Sequence, residues 1–268
     1  MGVANQRSIA LSCMESFLQK GGWDVVYTVQ NERARSRVQS VLQKQESFAG
    51  STGGKILGDL VCDVSDTHST QLLFRESLPE ILQHNKANLQ AVIHSIAFCP
   101  DLKTPLLETT RESFREAHDI SAYSLIEVAR ESMPLFGQND EESTNSITTL
   151  SYLGSQFAIP GYHAMGPAKA SLESIVRGLA LEMGQQHTAK VRVNAVRAGP
   201  IPTLSSKGGI AGFELMRQDV QNKAPLGNVS ASEVASTVFH VAAEATGMTG
   251  QTINVDGGYS IVGGPAPI

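Results

Sequence analysis

Apolar residues recur along this chain in two alternating rhythms. Short runs dense in β-branched residues take turns with longer segments whose apolar positions return every three or four residues. The runs are DVVYTVQ at 24–30, KILGDLVCDV at 55–64, LQAVIHSI at 89–96, SITTLS at 146–151, KVRVNA at 190–195 and TINVDGG at 252–258. LQAVIHSI is almost continuously apolar, as a parallel strand covered on both faces must be. Between the runs the helical rhythm predicts helices over 31–45, 72–82, 111–133, 168–183 and 232–245. One more precedes them, marked by Ser8, Ile9, Cys13, Phe17 and Leu18 and stopped by Gly21 and Gly22. Residues 47–54 (SFAGSTGG) read as a turn-rich insertion and 139–145 (NDEESTN) as an acidic surface loop. Strands alternating with helices specify an α/β chain, with a parallel sheet and right-handed crossovers.

Composition narrows this without redirecting it. A chain of 268 residues with 24 glycines and 41% apolar residues suits one globular domain spanning 1–268. A net charge of -5 offers no field for a nucleic-acid backbone. Cys13, Cys62 and Cys99 are widely spaced and form no CxxC, so neither a disulfide framework nor a metal site is expected, and a reducing compartment fits. No apolar run approaches the length of a membrane span, and no signal sequence is visible at the N-terminus. The expected location is cytoplasmic, or an organelle lumen if a transit peptide has been removed.

Candidate chemistry collects where strands end, because ligands of open α/β sheets bind at the carboxyl edge. The run at 146–151 leads directly to Tyr152, and the stretch 151–169 (SYLGSQFAIPGYHAMGPAK) adds Tyr162 and Lys169. If all of it were helical, a spacing of seven would put Tyr162 and Lys169 on one face, about 10 Å apart, with Met165 between them. A nearby ammonium favours phenolate, and a phenol in a pocket of low dielectric steadies a developing oxyanion. An isolated Tyr–Lys pair is more often a packed aromatic beside a solvated amine, and only the strand end in front of it shifts that balance.

Elsewhere, a helix entered through Gly2 and Ala4 offers backbone N–H groups to an anion, although one glycine is far weaker than a full GxGxxG. Gln30 ends the first run where an acidic residue would accept from a ribose hydroxyl, and Arg33, Arg35 and Arg37 follow, so the choice between a ribose and its 2′-phosphate stays open. Asp63 ends the second run, either against an adenine or as a cap for a helix beginning near Asp66. Ser95, Ile96, Ala97 and Phe98 leave the third. His118, with no nucleophile motif beside it, reads as a packed residue. The segment 198–212 (AGPIPTLSSKGGIAG) is a candidate substrate-binding loop.

Taken together, GVA followed by RSIA, then CDV, HSIAF, AHDIS, LSYLG, Tyr162 with Met165 and Lys169, AGPIPTL and VDGG resemble the bacterial-type enoyl-acyl-carrier-protein reductases. These are a divergent branch of the short-chain dehydrogenase/reductases. The likeness covers almost the whole chain in collinear order. The Tyr-x3-Lys of the wider superfamily is absent, which favours this branch over a ketone or alcohol enzyme.

The resemblance implies a Rossmann-like, doubly wound parallel sheet and hydride transfer from NADH, with NADPH as the alternative, to the β-carbon of a trans-2-enoyl thioester on acyl carrier protein. It implies that Tyr162 hydrogen-bonds the enolate oxygen, that Lys169 binds the nicotinamide ribose, and that Tyr152 shapes the pocket or relays a proton. Gly2, Ser8, Ile9, Gln30, Asp63, Val64, Ser95, Ile96, Ala97, Ile201 and Thr203 match positions around the dinucleotide. Ala97, Phe98, Tyr152, Tyr162 and Met165 match positions around the substrate. A homotetramer packed through the helix at 111–133 is expected, and Lys207 and Arg217 are candidate contacts for an acidic carrier protein.

Three departures from the family pattern shape the expectations. The family has an opening strand of about seven residues before GVA, and here only Met1 precedes Gly2. Such a strand lies in the middle of the sheet, so its lack should leave two neighbouring strands with unpaired backbone groups. Either the sequence starts too late or the cofactor site is damaged; the second favours, as the alternative function, an impaired dinucleotide-fold protein serving as a binding or scaffold subunit. Pro167 falls between Tyr162 and Lys169, where a helix interior would kink. Ala97 stands where the family commonly has glycine.

Overall fold

The computed structural model describes residues 1–20, 22–43, 53–137, 145–186 and 189–263. The acidic stretch at 139–144 and all but the last two residues of the 47–54 insertion lie outside them. Among the described residues, six strands, β1 (Val25–Val29), β2 (Ile56–Val61), β3 (Ala91–His94), β4 (Ser146–Tyr152), β5 (Arg192–Ala198) and β6 (Thr252–Val255), all pair in parallel. Eight helices among those residues join them: α1 (Ile9–Lys20), α2 (Glu32–Leu42), α3 (67–85), α4 (111–132), α5 (Met165–Gly184), α6 (Leu204–Gly209), α7 (Phe213–Lys223) and α8 (231–244). Every predicted strand and helix has a counterpart; α6, inside the predicted loop 198–212, and α7 are additions.

The helices begin where side chains can satisfy free backbone N–H groups. Asn31 accepts from Ala34 at the start of α2, Asp66 from His68 at α3, and Ser230 with Glu233 closes a capping box on α8. The cap of α3 is therefore Asp66, which frees Asp63 for other work. Pro167 sits in the first turn of α5, where its missing N–H costs little, so the expected kink is absent.

The strands form two sheets rather than one. β1 pairs only with β2, while β3, β4, β5 and β6 run side by side in that order. Helices cover both faces. On one, α1 and α8 pack over Val25, Ala91, Ile93, Leu150 and Val196. On the other, α3, α4 and α5 bury Leu73, Leu125, Ile147, Leu172 and Val193. Between β1 and β3, residues Met1 to Val3 reach both edges. The Met1 amino group donates to the Ile93 carbonyl at 2.6 Å, and Val3 N–H to the Thr28 carbonyl at 3.0 Å. The expected break in the sheet is present, and those three residues span it at the carboxyl end.

Candidate active site

The carboxyl ends of β1 to β5 open into one cleft of about 1290 Å³. All the residues matched to positions around the dinucleotide and the substrate line it: Gly2, Ser8, Ile9, Gln30, Asp63, Val64, Ser95, Ile96, Ala97, Phe98, Tyr152, Tyr162, Met165, Lys169, Ile201 and Thr203. They come from seven separate stretches, gathered because parallel strands all end on the same side.

At one end, residues 2–8 turn from the break in the sheet into α1. Gly2 has a φ of +88°, and a Cβ there would lie 2.3 Å from the Ser95 carbonyl oxygen, so only glycine lets the loop press against the end of β3. Asn5 folds the turn, its side chain accepting from Arg7 N–H at 2.8 Å and its carbonyl from the Ser8 hydroxyl at 2.7 Å. The loop delivers the amino end of the twelve-residue α1 to the cleft, where free N–H groups and the helix dipole favour a phosphate. A dinucleotide fits this cradle, which a side chain at position 2 would fill.

On the β1–β2 side, Gln30 donates to Asp63 Oδ2 at 3.3 Å, and Ser65 donates to Asp63 Oδ1 through both N–H and hydroxyl. Burial raises the Asp63 carboxyl, but the bonds from Ser65 and Gln30 outweigh it and hold the group below its ordinary range. An anionic acceptor thus stands beside an amide. Of the arginines that follow, Arg35 is committed to Asp59 and Glu32, leaving Arg33 and Arg37 on the cleft.

On the other side stand the phenols and the amine. Tyr152 ends β4, and Tyr162 lies in the turn before α5, so Tyr162 and Lys169 do not share a helix face as the spacing suggested. The Tyr152 and Tyr162 rings meet edge to face, 4.8 Å between centroids. Tyr162 closes over Gly154, where a Cβ would strike its ring. Burial, with lesser repulsion from Tyr152 and Cys99, pushes the Tyr162 phenol well above its ordinary range. Tyr152 is raised in the same way. The phenolate expected from a neighbouring ammonium is therefore displaced by the protonated phenol, a hydrogen-bond donor. Lys169 is buried and donates to the Leu150 carbonyl at 2.9 Å, and burial lowers its pKa to about 8 despite Glu173.

Beneath Lys169 lies a cluster that sequence reading passed over. Glu173 takes two bonds from Arg197, at 2.7 and 2.5 Å, and one each from the Ser151 and Ser155 hydroxyls at 2.6 Å. It joins the ends of β4 and β5 to α5. The signal was present in the i, i+4 spacing of Lys169 and Glu173, which puts both on one helix face. Met216, at 3.0 Å from the Tyr152 hydroxyl, was also missed, since nothing local ties α7 to β4.

The predicted loop at 198–212 folds partly as α6, capped by Thr203, whose hydroxyl accepts from Ser206 N–H. Lys207 pairs with Glu214 at 3.3 Å, and the Nε of Arg217 is buried, so the two offer less positive surface than their charges suggest. His118 packs on Phe114, away from the cleft. Among the described residues no group of His, Cys, Asp or Glu is arranged to hold a metal, and no helix is long and apolar enough to cross a membrane.

The family model described as enoyl-(acyl carrier protein) reductase matches residues 2–260. A Bacillus cereus protein named enoyl-[acyl-carrier-protein] reductase [NADH] FabI is 37% identical, the match covering 98% of this chain and 96% of that one. The Staphylococcus aureus [NADPH] FabI is 36% identical, over 98% and 95%. Among solved structures, the Bacillus cereus enoyl-acyl carrier protein reductase with NADP+ and indole naphthyridinone superposes with a TM-score of 0.83 at 36% identity, over 98% of this chain and 95% of that one. That from Aquifex aeolicus gives 0.81 at 34%, with the same coverage.

Proposed function

The chain belongs to the enoyl-acyl-carrier-protein reductases, and we propose that Tyr162 and Lys169 carry its chemistry at the end of the cleft formed by β4 and α5. The reaction is reduction of the trans-2 double bond of an enoyl thioester in fatty acid elongation. A reduced nicotinamide dinucleotide supplies the hydride; named relatives include both NADH and NADPH forms.

As hydride reaches the β-carbon, negative charge gathers on the thioester oxygen. The Tyr162 phenol keeps its proton at working pH and donates a hydrogen bond to that oxygen, in a cavity where burial strengthens the bond. Tyr152 limits the space beside it and holds the Tyr162 ring edge-on. Lys169, anchored at Leu150, offers its remaining N–H bonds to the nicotinamide ribose. Gly2, Ser8 and Ile9 receive the pyrophosphate at the amino end of α1. Gln30, Asp63 and Val64 receive the adenosine, and Ser95, Ile96, Ala97, Ile201 and Thr203 line the nicotinamide half. Phe98 and Met165 face the acyl chain, and the 198–212 segment with α6 closes over it. Gln30 beside an anionic Asp63 suits an unphosphorylated ribose, so NADH is the preferred donor. A homotetramer packed through α4, and a carrier protein docking near α6, complete this reading.

The observation that carries it is the presence of Tyr162, Lys169 and the Gly2 loop on one cleft. NADH absorbance followed with crotonyl and longer enoyl thioesters tests it. Tyr162→Phe removes one oxyanion donor and should cut kcat by about 10² to 10³. Lys169→Ala should raise KM for NADH. Unchanged constants in both variants would remove the assignment. The alternative, a scaffold subunit without catalysis, requires a chain that gives no fluorescence response to NADH.

A further inference from the structure

Glu173 stands behind the wall of the cleft rather than on it, and is only 5% exposed. Its carboxylate gathers four bonds from three places: two from Arg197 of β5, one from Ser151 of β4 and one from Ser155 in the turn that follows. Burial works against its charge, and those bonds outweigh it, so Glu173 is held as an anion. A buried ion pair is a poor way to stabilise an interior, since apolar residues of the same volume often do as well or better. The reason for an anion at this place is therefore sought in what surrounds it.

The bonds to Ser151 and Ser155 bracket a short stretch of backbone. Tyr152 ends β4 within it, and Gly154 forms the floor under the Tyr162 ring. Leu150, whose carbonyl anchors Lys169, adjoins it. The first turn of α5 braces the same stretch, since a Cβ on Gly166 would lie 3.0 Å from the Gly154 carbonyl oxygen. One carboxylate thus ties down the backbone beneath all three groups assigned to chemistry. It also acts on Lys169 through charge, because the two are four residues apart on α5, and its attraction opposes the effect of burial there. The other groups around Lys169 carry no charge or are engaged elsewhere. Burial, with repulsion from Lys169, lowers His94 of β3 to about 3, so it is neutral between Thr149 and Ser124. Burial raises Tyr152, Tyr162 and Cys99, which keep their protons at neutral pH. Asp101 and Glu116 act on Cys99, and Arg197 is taken up by Glu173 and Asn254.

We propose that Glu173 is a positioning residue of the reduction, which sets the backbone under Tyr152, Tyr162 and Lys169 and keeps Lys169 an ammonium through neutral pH. The proposal rests on the assignment of Lys169 to the nicotinamide ribose. Without the carboxylate, burial acts on Lys169 unopposed, its proton leaves at lower pH, and the ribose loses a charged donor.

The test is the pH profile of the NADH Kd, read by fluorescence for the unaltered chain and for Glu173→Gln. The unaltered chain should bind evenly up to about pH 8 and more weakly above it. Glu173→Gln keeps the volume and loses the charge, and should bring that fall forward by about one pH unit. The two chains should then bind alike near about pH 6 and differ by up to about tenfold in the alkaline range. A glutamate that only braced the fold would change stability or scale the affinity evenly, without moving the pH of the fall. At about pH 6, with NADH saturating, kcat on a crotonyl thioester should still drop by about threefold to tenfold, because the backbone beneath Tyr162 is loosened. If Glu173→Gln strands Arg197 and fails to fold, the paired Glu173→Gln, Arg197→Gln chain leaves no charge unpaired and decides by the same two readings, since Glu173 is the charge that acts on Lys169. A fall at unchanged pH, or an unchanged kcat near pH 6, would overturn the proposal and leave the assignment of Lys169 standing. An unaltered chain with no alkaline fall would remove Lys169 from the ribose, and this role of Glu173 with it.

Discussion

Six of the seven residues of β4 are buried, whereas none of the six in β2 is. β4 lies inside a four-stranded sheet, between β3 and β5, with α5 and α4 against one face and α8 against the other. β2 is half of a two-stranded sheet, and an isolated pair of strands is marginal without helix packing. The cleft draws on both. Tyr152, Tyr162 and Lys169 stand on the deeply buried part, and Gln30 and Asp63 on the lighter one. The difference teaches that the groups assigned to chemistry rest on the deeply buried sheet, while those assigned to the adenosine rest on a lighter pair of strands covered by α1, α2 and α3.

Breaking each part separately should show this. Glu173→Ala strands the Arg197 charge in the interior, where both side chains are under 10% exposed, and should destabilise the fold by about 3–5 kcal/mol in denaturant unfolding. Gly2→Ala forces a Cβ against the Ser95 carbonyl at a positive φ. It should cost about 1–3 kcal/mol and weaken NADH binding, because it pushes apart the joint between the sheets. A stability loss confined to β3–β6 in hydrogen exchange would contradict that view of the joint.

Lys169 sharpens the comparison through pH. Its pKa, about 8 rather than 10.5, means that charge is lost above pH 8 in the folded protein. NADH affinity should then fall by up to about tenfold per unit above pH 8, and Lys169→Arg should flatten the fall. The stability sign is opposite. Because the unfolded lysine holds its proton up to 10.5, the burial penalty felt below pH 8 is relieved between 8 and 10.5. Asp63→Ala, on the lighter sheet, should raise the NADH Kd by about fivefold to tenfold with kcat unchanged, the loss of one hydrogen-bond acceptor. Smallest of all, Arg35→Ala breaks the half-exposed pair with Asp59 and should cost under about 1 kcal/mol. If Arg35→Ala and Glu173→Ala cost the same, the two sheets do not differ as described.

Much of the fold was legible because strand and helix rhythms are local. The runs at 146–151 and 190–195 predicted β4 and β5, and the pattern at 111–133 predicted α4. Asn31 and Ser230 cap their helices through contacts that span only a few residues, although the sequence reading did not single them out. The positions of Tyr162 and Glu173 were not legible in this way. A helical reading of 162–169 ignored the turn that puts Tyr162 outside α5, although Pro167 in a first turn was a sign of where that helix begins. The Glu173 cluster draws Ser151 from β4 and Arg197 from β5, which no spacing along the chain brings together.

The amino-acid order by itself determined the parallel α/β pattern and the candidate residues at strand ends. Each is set by periodicity or by residue type along a single stretch. Only the tertiary structure decided that Tyr162 lies outside α5 in a pocket where burial raises its phenol further, that Asp63 is held as an anion by Gln30 and Ser65, and that β1 and β2 pair apart from β3 to β6. Protonation and edge pairing depend on desolvation and on partners dozens of residues away, and those are fixed when the layers pack.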